Sequence, residues 1–270
     1  MNKDYFSTRV GIPQAKISLR DLIQTFISIH KEFYHKNYLR EFYGFEDKYG
    51  NWHTGFINDD FEAFTLRTIG RKIEQPTLID NYISYKEYEL FDVIELLHEY
   101  IIYPIYEVPE GKNNEWRKRE ARSQYRTQIN NILRIYNEGW ELSIDGYIRE
   151  LIVRDLSNLI DEHSTTGDSL NVDNNIASAK KRFLKYGSTI EDKRAALIEI
   201  AAAFEYIRKQ LEKSIPKEES DIFQLLNRFG IRHNKLDQLV GYDKEIYYHW
   251  IFYYFISAFD AYNKLTKRDF

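Results

Sequence analysis

The stretch IYYHWIFYYFISAF, residues 246–259, is the longest apolar block of the chain. A bilayer span needs about 20 apolar residues; this block is shorter and carries His249 in its middle. It therefore reads as a core helix of a globular protein. Tyr247, Trp250, Ile251, Tyr254, Phe255, Ala258 and Tyr262 recur at helical spacing, while Tyr248, Phe252 and Phe259 point elsewhere. Apolar residues around nearly the whole circumference predict burial on several sides. One side would face a helical core, and another either that core or a partner chain. His249 on this helix is either a bonded core residue or part of a cleft.

Helical periodicity extends outward from that block. The second half offers helices over 172–185, 191–213, 218–229 and 244–267. Ser188 with Glu191, or Thr189 with Asp192, would cap the second of them. Ile198, Ala201, Ala202, Glu205 and Ile207 suggest small residues at helix contacts. Four helices with short links predict a compact bundle. The Ser/Thr/Asp/Asn-rich run DEHSTTGDSLNVDN, residues 161–174, lacks periodic apolar residues. The domain boundary is placed at or just before it, giving domains 1–155 and 156–270.

In the first domain, Ser18 and Asp21 form a capping signature ahead of Leu22, Ile23, Phe26, Ile27, Ile29 and Phe33. Residues 44–55 read as a loop or a short hairpin. Helices are expected over 60–71, 85–102 and 117–136. Asp145-Gly146 between two alternating runs predicts a two-residue hairpin turn within 141–152. The expected fold is mainly α: two helical domains with one small β-hairpin and a C-terminal four-helix bundle.

Composition narrows the function classes. Hydrophobic residues are 43%, charged residues 30% and aromatic residues 16%, which predicts ring-built globular cores. Net charge is −4; residues 1–155 hold 21 basic and 25 acidic side chains and the remainder 17 of each. Neither half is a basic nucleic-acid platform by bulk charge. No cysteine is present, which excludes disulfides, thiolate nucleophiles and cysteine zinc sites. A reducing cytoplasm is the expected location, and the opening MNKDYFSTRVGIPQ lacks the apolar run of a signal peptide. No P-loop, dinucleotide fingerprint or serine-hydrolase elbow occurs, and no cofactor or membrane association is expected.

The densest polar chemistry is LLNRFGIRHNK, residues 225–235. Arg228 and His233 are separated by four residues, with Gly230 between them to turn the chain after a helix end. Histidine can move a proton near neutral pH. Arginine can clamp a phosphate. Together they suffice for metal-free RNA cleavage: a base takes the 2′-hydroxyl proton, that oxygen attacks phosphorus, and a cation stabilises the developing charge. The competing reading is structural, because Arg and His at a helix C-terminus complement its dipole. Asp237, Asp243 and Glu245 are available to pair with them.

A resemblance sharpens the choice. The segments NNIASAKKRFLKYGSTIEDKRAALIEIAAAFEYIRKQL, LLNRFGIRHNKLDQ and YDKEIYYHWIFYYFISAFDAYNKL are similar to the C-terminal part of bacterial abortive-infection proteins. Such domains resemble the HEPN superfamily, helical bundles whose active members carry an R-x4-6-H motif. LFDVIELLHEYI and INNILRIYNEGWELSIDGYI resemble the helical N-terminal region of abortive-infection proteins. The resemblance covers most of residues 85–265 and leaves the first 80 unplaced. It implies a metal-independent endoribonuclease of antiphage defence, a homodimer whose two motifs meet in one cleft, and control by a regulatory partner protein or by the N-terminal domain. It implies that Arg228 stabilises the scissile phosphate and His233 acts as acid or base. Active members often place a polar residue directly after the arginine; this chain has Phe229, so Asn227, Arg232 or Asn234 would have to supply that group. The alternative is an HEPN-like bundle that has lost catalysis and recruits a partner or senses a ligand.

Other candidates are weaker. EWRKREARSQYR, residues 115–126, puts Arg117, Lys118, Arg119, Arg122 and Arg126 beside Trp116 and Tyr125, a candidate RNA-binding face. A solvated helix face with Glu115 and Glu120 in counterpoise explains it more simply. His30 and His35 are spaced poorly for one helical metal site. Glu95 and His98, three apart, can bond each other, but one E-x-x-H does not make a di-iron bundle. His53 and His163 fall in expected loops.

Overall fold

The computed structural model describes residues 6–11, 16–57, 60–76, 84–137, 139–151, 154–161, 165–231, 239 and 241–267. Helices dominate, joined by two small antiparallel two-stranded sheets. The chain divides into two compact units, Met1–Leu151 and Ile152–Phe270.

The first unit runs α1 (Phe6–Arg9), α2 (Leu19–His35), α3 (Arg40–Tyr43), β1 (Gly44–Glu46), β2 (Trp52–Thr54), α4 (Phe61–Ile69), α5 (Glu87–Tyr100), α6 (Asn114–Leu133), β3 (Trp140–Leu142) and β4 (Ile148–Glu150). The capping box at α2 forms as its sequence requires: Ser18 Oγ accepts the Asp21 N–H, and the Asp21 carboxylate reaches back to the Ser18 N–H. Leu22, Ile23, Phe26, Ile27, Ile29 and Phe33 then face inward. Rings knit this core: Phe33 meets Tyr125 edge-on at 5.4 Å, and Phe42 stacks on Tyr100 at 5.0 Å. Burying each such side chain contributes about 1.5–3 kcal/mol.

Two hairpins form: one in the segment read as a loop or a short hairpin, and the one expected at Asp145-Gly146. Residues 44–55 build the first, with Phe45 opposite His53 and their rings stacked at 4.6 Å. In the second, Leu142 pairs with Ile148. The Ser143 N–H bonds the Tyr147 carbonyl at 2.9 Å, so the loop is three residues, Ile144 to Gly146, rather than two. Gly146 closes it at φ 85°, the left-handed position that such loops require.

The second unit comprises α7 (Arg154–Asp161), a π-helical turn (Ser169–Asp173), α8 (Asn174–Leu184), α9 (Ile190–Tyr206), α10 (Arg208–Ser214), α11 (Pro216–Arg228) and α12 (Lys244–Thr266). Thr189 with Asp192 makes the capping box of α9, while the Ser188 hydroxyl bonds the Arg182 carbonyl instead. α9 packs on α8, α10 and α12. Its buried side is Ala196, Leu197, Ile200, Ala201, Ala203 and Phe204, and Ile198 and Ala202 point outward. The expected single helix over 191–213 breaks at Ile207 (φ −97°, ψ 15°). No Gly or Pro marks the break. Ile207 and Leu211, at and beyond the break, are both buried in one core.

α12 is buried through Tyr248, Ile251, Phe252, Phe255, Ile256, Ala258, Phe259 and Tyr262, and Phe252 stacks on Phe183 at 4.0 Å. Its opposite side leaves Ile246, Tyr247 and Trp250 exposed. Among the described residues no helix is long and apolar enough to cross a membrane.

Candidate functional site

α11 starts at Pro216 with Glu218 and Glu219 in its first turn, and buries Ile222, Phe223 and Leu226. Its end is built by Gly230, at φ 62°. The Gly230 N–H bonds the Asn227 carbonyl at 3.3 Å and the Ile231 N–H bonds the Leu226 carbonyl at 3.2 Å. This is the Schellman arrangement, completed by the buried pair Leu226 and Ile231. The carbonyls beyond find donors too. Leu239 N–H bonds Arg228 O at 3.0 Å, the Tyr242 hydroxyl bonds Phe229 O at 2.8 Å, and an Arg194 Nη bonds Gly230 O at 3.0 Å.

That register decides which side chains face water. Phe229 is a core residue, its ring edge-on to Tyr242 at 5.0 Å and 5.1 Å from Tyr247. Arg228 and Asn227 are exposed. Arg232, His233 and Asn234 lie outside the described residues. His249 is a bonded histidine. Its Nδ1–H donates to the Glu245 carbonyl at 2.7 Å, which leaves Nε2 facing the Lys193 Nζ at 3.5 Å. Lys193, 2% exposed, also holds the Glu245 carboxylate.

The basic residues of α6 do not form one open face. Arg117 is 5% exposed; it bonds the Tyr103 carbonyl and the Asn114 side chain and pairs with Glu41 at 2.7 Å. Its register on α6, four residues before the buried Ala121, turns it inward, so its guanidinium is committed to the protein. Arg122 bonds the carbonyls of His98 and Glu99, completing the C-terminus of α5. Lys118 and Arg119 are exposed, the former 3.8 Å from Glu115, and Arg126 is half-buried.

Two histidines of the first unit are buried and neutral. His30 bonds the Tyr43 hydroxyl at 2.9 Å, and burial lowers its pKa to about 4. For His98, burial first and then Arg122 and Arg126 lower the pKa to about 4. His53 is 3.1 Å from Asp47, and His35 is exposed.

His98 lines a cavity of about 440 Å³. Its walls are Thr68 and Ile69 at the end of α4; Asp92, Glu95, Leu96, His98 and Glu99 of α5; Arg122 of α6; and Asp145 to Tyr147 of the β3–β4 turn. Asp92, Glu95, Leu96 and Glu99 share one helical face by their three- and four-residue steps. Asp92 is raised above its ordinary pKa by burial, which Arg71 at 3.2 Å partly offsets. Glu95 accepts the Ile148 N–H at 2.6 Å and so ties α5 to β4. A Cβ on Gly146 would lie 2.5 Å from His98 Nδ1, so only glycine fits against that ring.

Comparison of the chain with protein-family models, with curated proteins and with solved structures gives no match. The E-x-x-H spacing on α5 was the sequence signal for the cavity. Its partners on α4, α6 and the hairpin lie 24 to 52 positions from Glu95 or His98 and carry no local motif.

Proposed function

We propose that the chain is a metal-independent RNA-cleaving enzyme of the kind its second unit resembles, working in the cytoplasm without a cofactor. Arg228 holds the scissile phosphate and His233 transfers the proton. The 2′-oxygen attacks phosphorus, the P–O5′ bond breaks, and the leaving 5′-oxygen takes up a proton. The observation that carries this reading is the build of the α11 end: a guanidinium open to solvent, on a turn whose backbone carbonyls are bonded and whose next residue, Phe229, is anchored in the core. A fixed base for an exposed cation is the arrangement that phosphate recognition needs. The exposed Ile246, Tyr247 and Trp250 beside Phe229 suit coverage by a second copy, as a shared cleft requires. Control by a regulatory partner or by the first unit completes the proposal.

One observation favours a second reading. Phe229 occupies, as a buried ring, the position where active members of the resembled superfamily often carry a polar group. A bundle built this way can serve as a non-catalytic module that recruits a partner or senses a ligand.

Incubation of the purified protein with structured RNA and chelator separates the two. The enzyme reading predicts chelator-resistant cutting that falls about a hundredfold or more in Arg228→Ala and in His233→Ala. If activation is needed, expression in cells is toxic and His233→Ala relieves it. A wild type inert on RNA and harmless in cells sinks the enzyme and leaves the binding module.

A further inference from the structure

We propose that the cavity bounded by α4, α5, α6 and the β3–β4 turn binds a small organic cation with several N–H donors, of the amine or guanidine class. The site is separate from the RNA reading and stands if Arg228 proves inert. Three features on the cavity wall lead to this ligand class.

The first is charge. Asp92, Glu95, Glu99 and Asp145 line the cavity with Arg122. Asp92 is paired with Arg71 and Glu95 accepts the Ile148 N–H, so the exposed Glu99 and Asp145 are the carboxylates that would meet a ligand. The Arg122 guanidinium is already bonded to the carbonyls of His98 and Glu99. The second is an unmet polar group. His98 is 3% exposed and its Nε2 has no hydrogen-bond partner among the described residues. A buried polar atom left unpaired costs about 1–3 kcal/mol, and a ligand N–H that reaches the ring from the cavity His98 lines would recover it. The depressed pKa keeps the ring neutral at pH 7, so one nitrogen remains an acceptor. The third is size. A cavity of about 440 Å³ falls within the ~300–1,000 Å³ of small-molecule sites.

A metal ion fits less well. Among the described residues no three His or carboxylate ligand atoms of this cavity lie within 4.8 Å of one another. One ion would not reach enough of them, whereas an elongated cation can address separate carboxylates and the imidazole together. The wall is held by close packing and hydrogen bonds. Gly146 lies against the imidazole edge, Glu95 pins β4, and Arg122 closes the end of α5.

The test is calorimetric titration of the full chain with putrescine, agmatine and spermidine. Neutral 1,4-butanediol, anionic glutarate and Mn²⁺ serve as controls, and the His98 imidazole is followed by ¹⁵N NMR. At least one cation is expected to bind saturably at one site and to shift the His98 nitrogen resonances. Glu99→Gln with Asp145→Asn, both exposed positions, should weaken it by about tenfold or more without changing the fold. The proposal is overturned by any of four results: no saturable cation binding, equal binding of the diol or glutarate, affinity unchanged in the double variant, or Mn²⁺ alone moving the His98 resonances.

Discussion

At the end of α11 the carbonyls that a helix leaves open have donors, and the charged side chain, Arg228, reaches solvent. In the cavity around His98 the reverse holds: the side chain is buried and one of its nitrogens lacks a partner. The contrast separates two ways of preparing a site. A satisfied backbone with an exposed cation suits contact with a large polyanion that stays outside the protein. An unsatisfied, buried imidazole in the wall of a cavity that carboxylates also line suits a small ligand that enters.

The largest expected effect is on the buried histidines. His30 and His98 titrate near 6.5 when unfolded and about 4 when folded. Between those values the unfolded chain binds more protons, so stability is full above pH 6.5 and is lost as pH falls towards 4. Each histidine accounts for about 3 kcal/mol. Trp250→Phe leaves Trp52, Trp116 and Trp140 to report the first unit. In that variant the urea midpoint of tryptophan fluorescence should drop sharply between pH 7 and pH 4.5; an unchanged midpoint would remove the neutral histidines from the comparison.

The two glycines sharpen it next. Gly146→Ala meets both a left-handed backbone and the His98 ring, and should cost about 3 kcal/mol. Gly230→Ala carries the backbone penalty, about 1–2 kcal/mol. Equal losses in chemical denaturation would mean that the His98 ring yields. Smaller still, Ser18→Ala and Thr189→Ala each remove a cap, at about 1 kcal/mol apiece. Arg228→Ala should change stability by less than about 0.5 kcal/mol, because the side chain is exposed; a larger loss would assign it a structural role.

What the sequence made legible was local. The caps at Ser18 and Thr189, the inward stripe of α2, the Asp145-Gly146 hairpin and the core helix α12 each follow from residues within a few positions of one another. What it hid was set by distant packing. The break at Ile207 answers to the core beneath it. Arg117 looked like surface charge until Glu41 and Tyr103 were seen to hold it. Ile198 and Ala202 fall in AALIEIAAAF, residues 195–204, where a single charge, Glu199, gives periodicity too little to choose a face. At the candidate sites, Gly230 announced its turn, whereas the contact between Gly146 and His98 joins residues 48 apart.

The chemistry assigned to Arg228 and His233 is tested most directly by the ends of the RNA fragments. Mass spectrometry of products formed in chelator should find 2′,3′-cyclic phosphate on one fragment and 5′-hydroxyl on the other, both absent with Arg228→Ala. Products carrying 5′-phosphate and 3′-hydroxyl, or cutting that persists in Arg228→Ala, would contradict it.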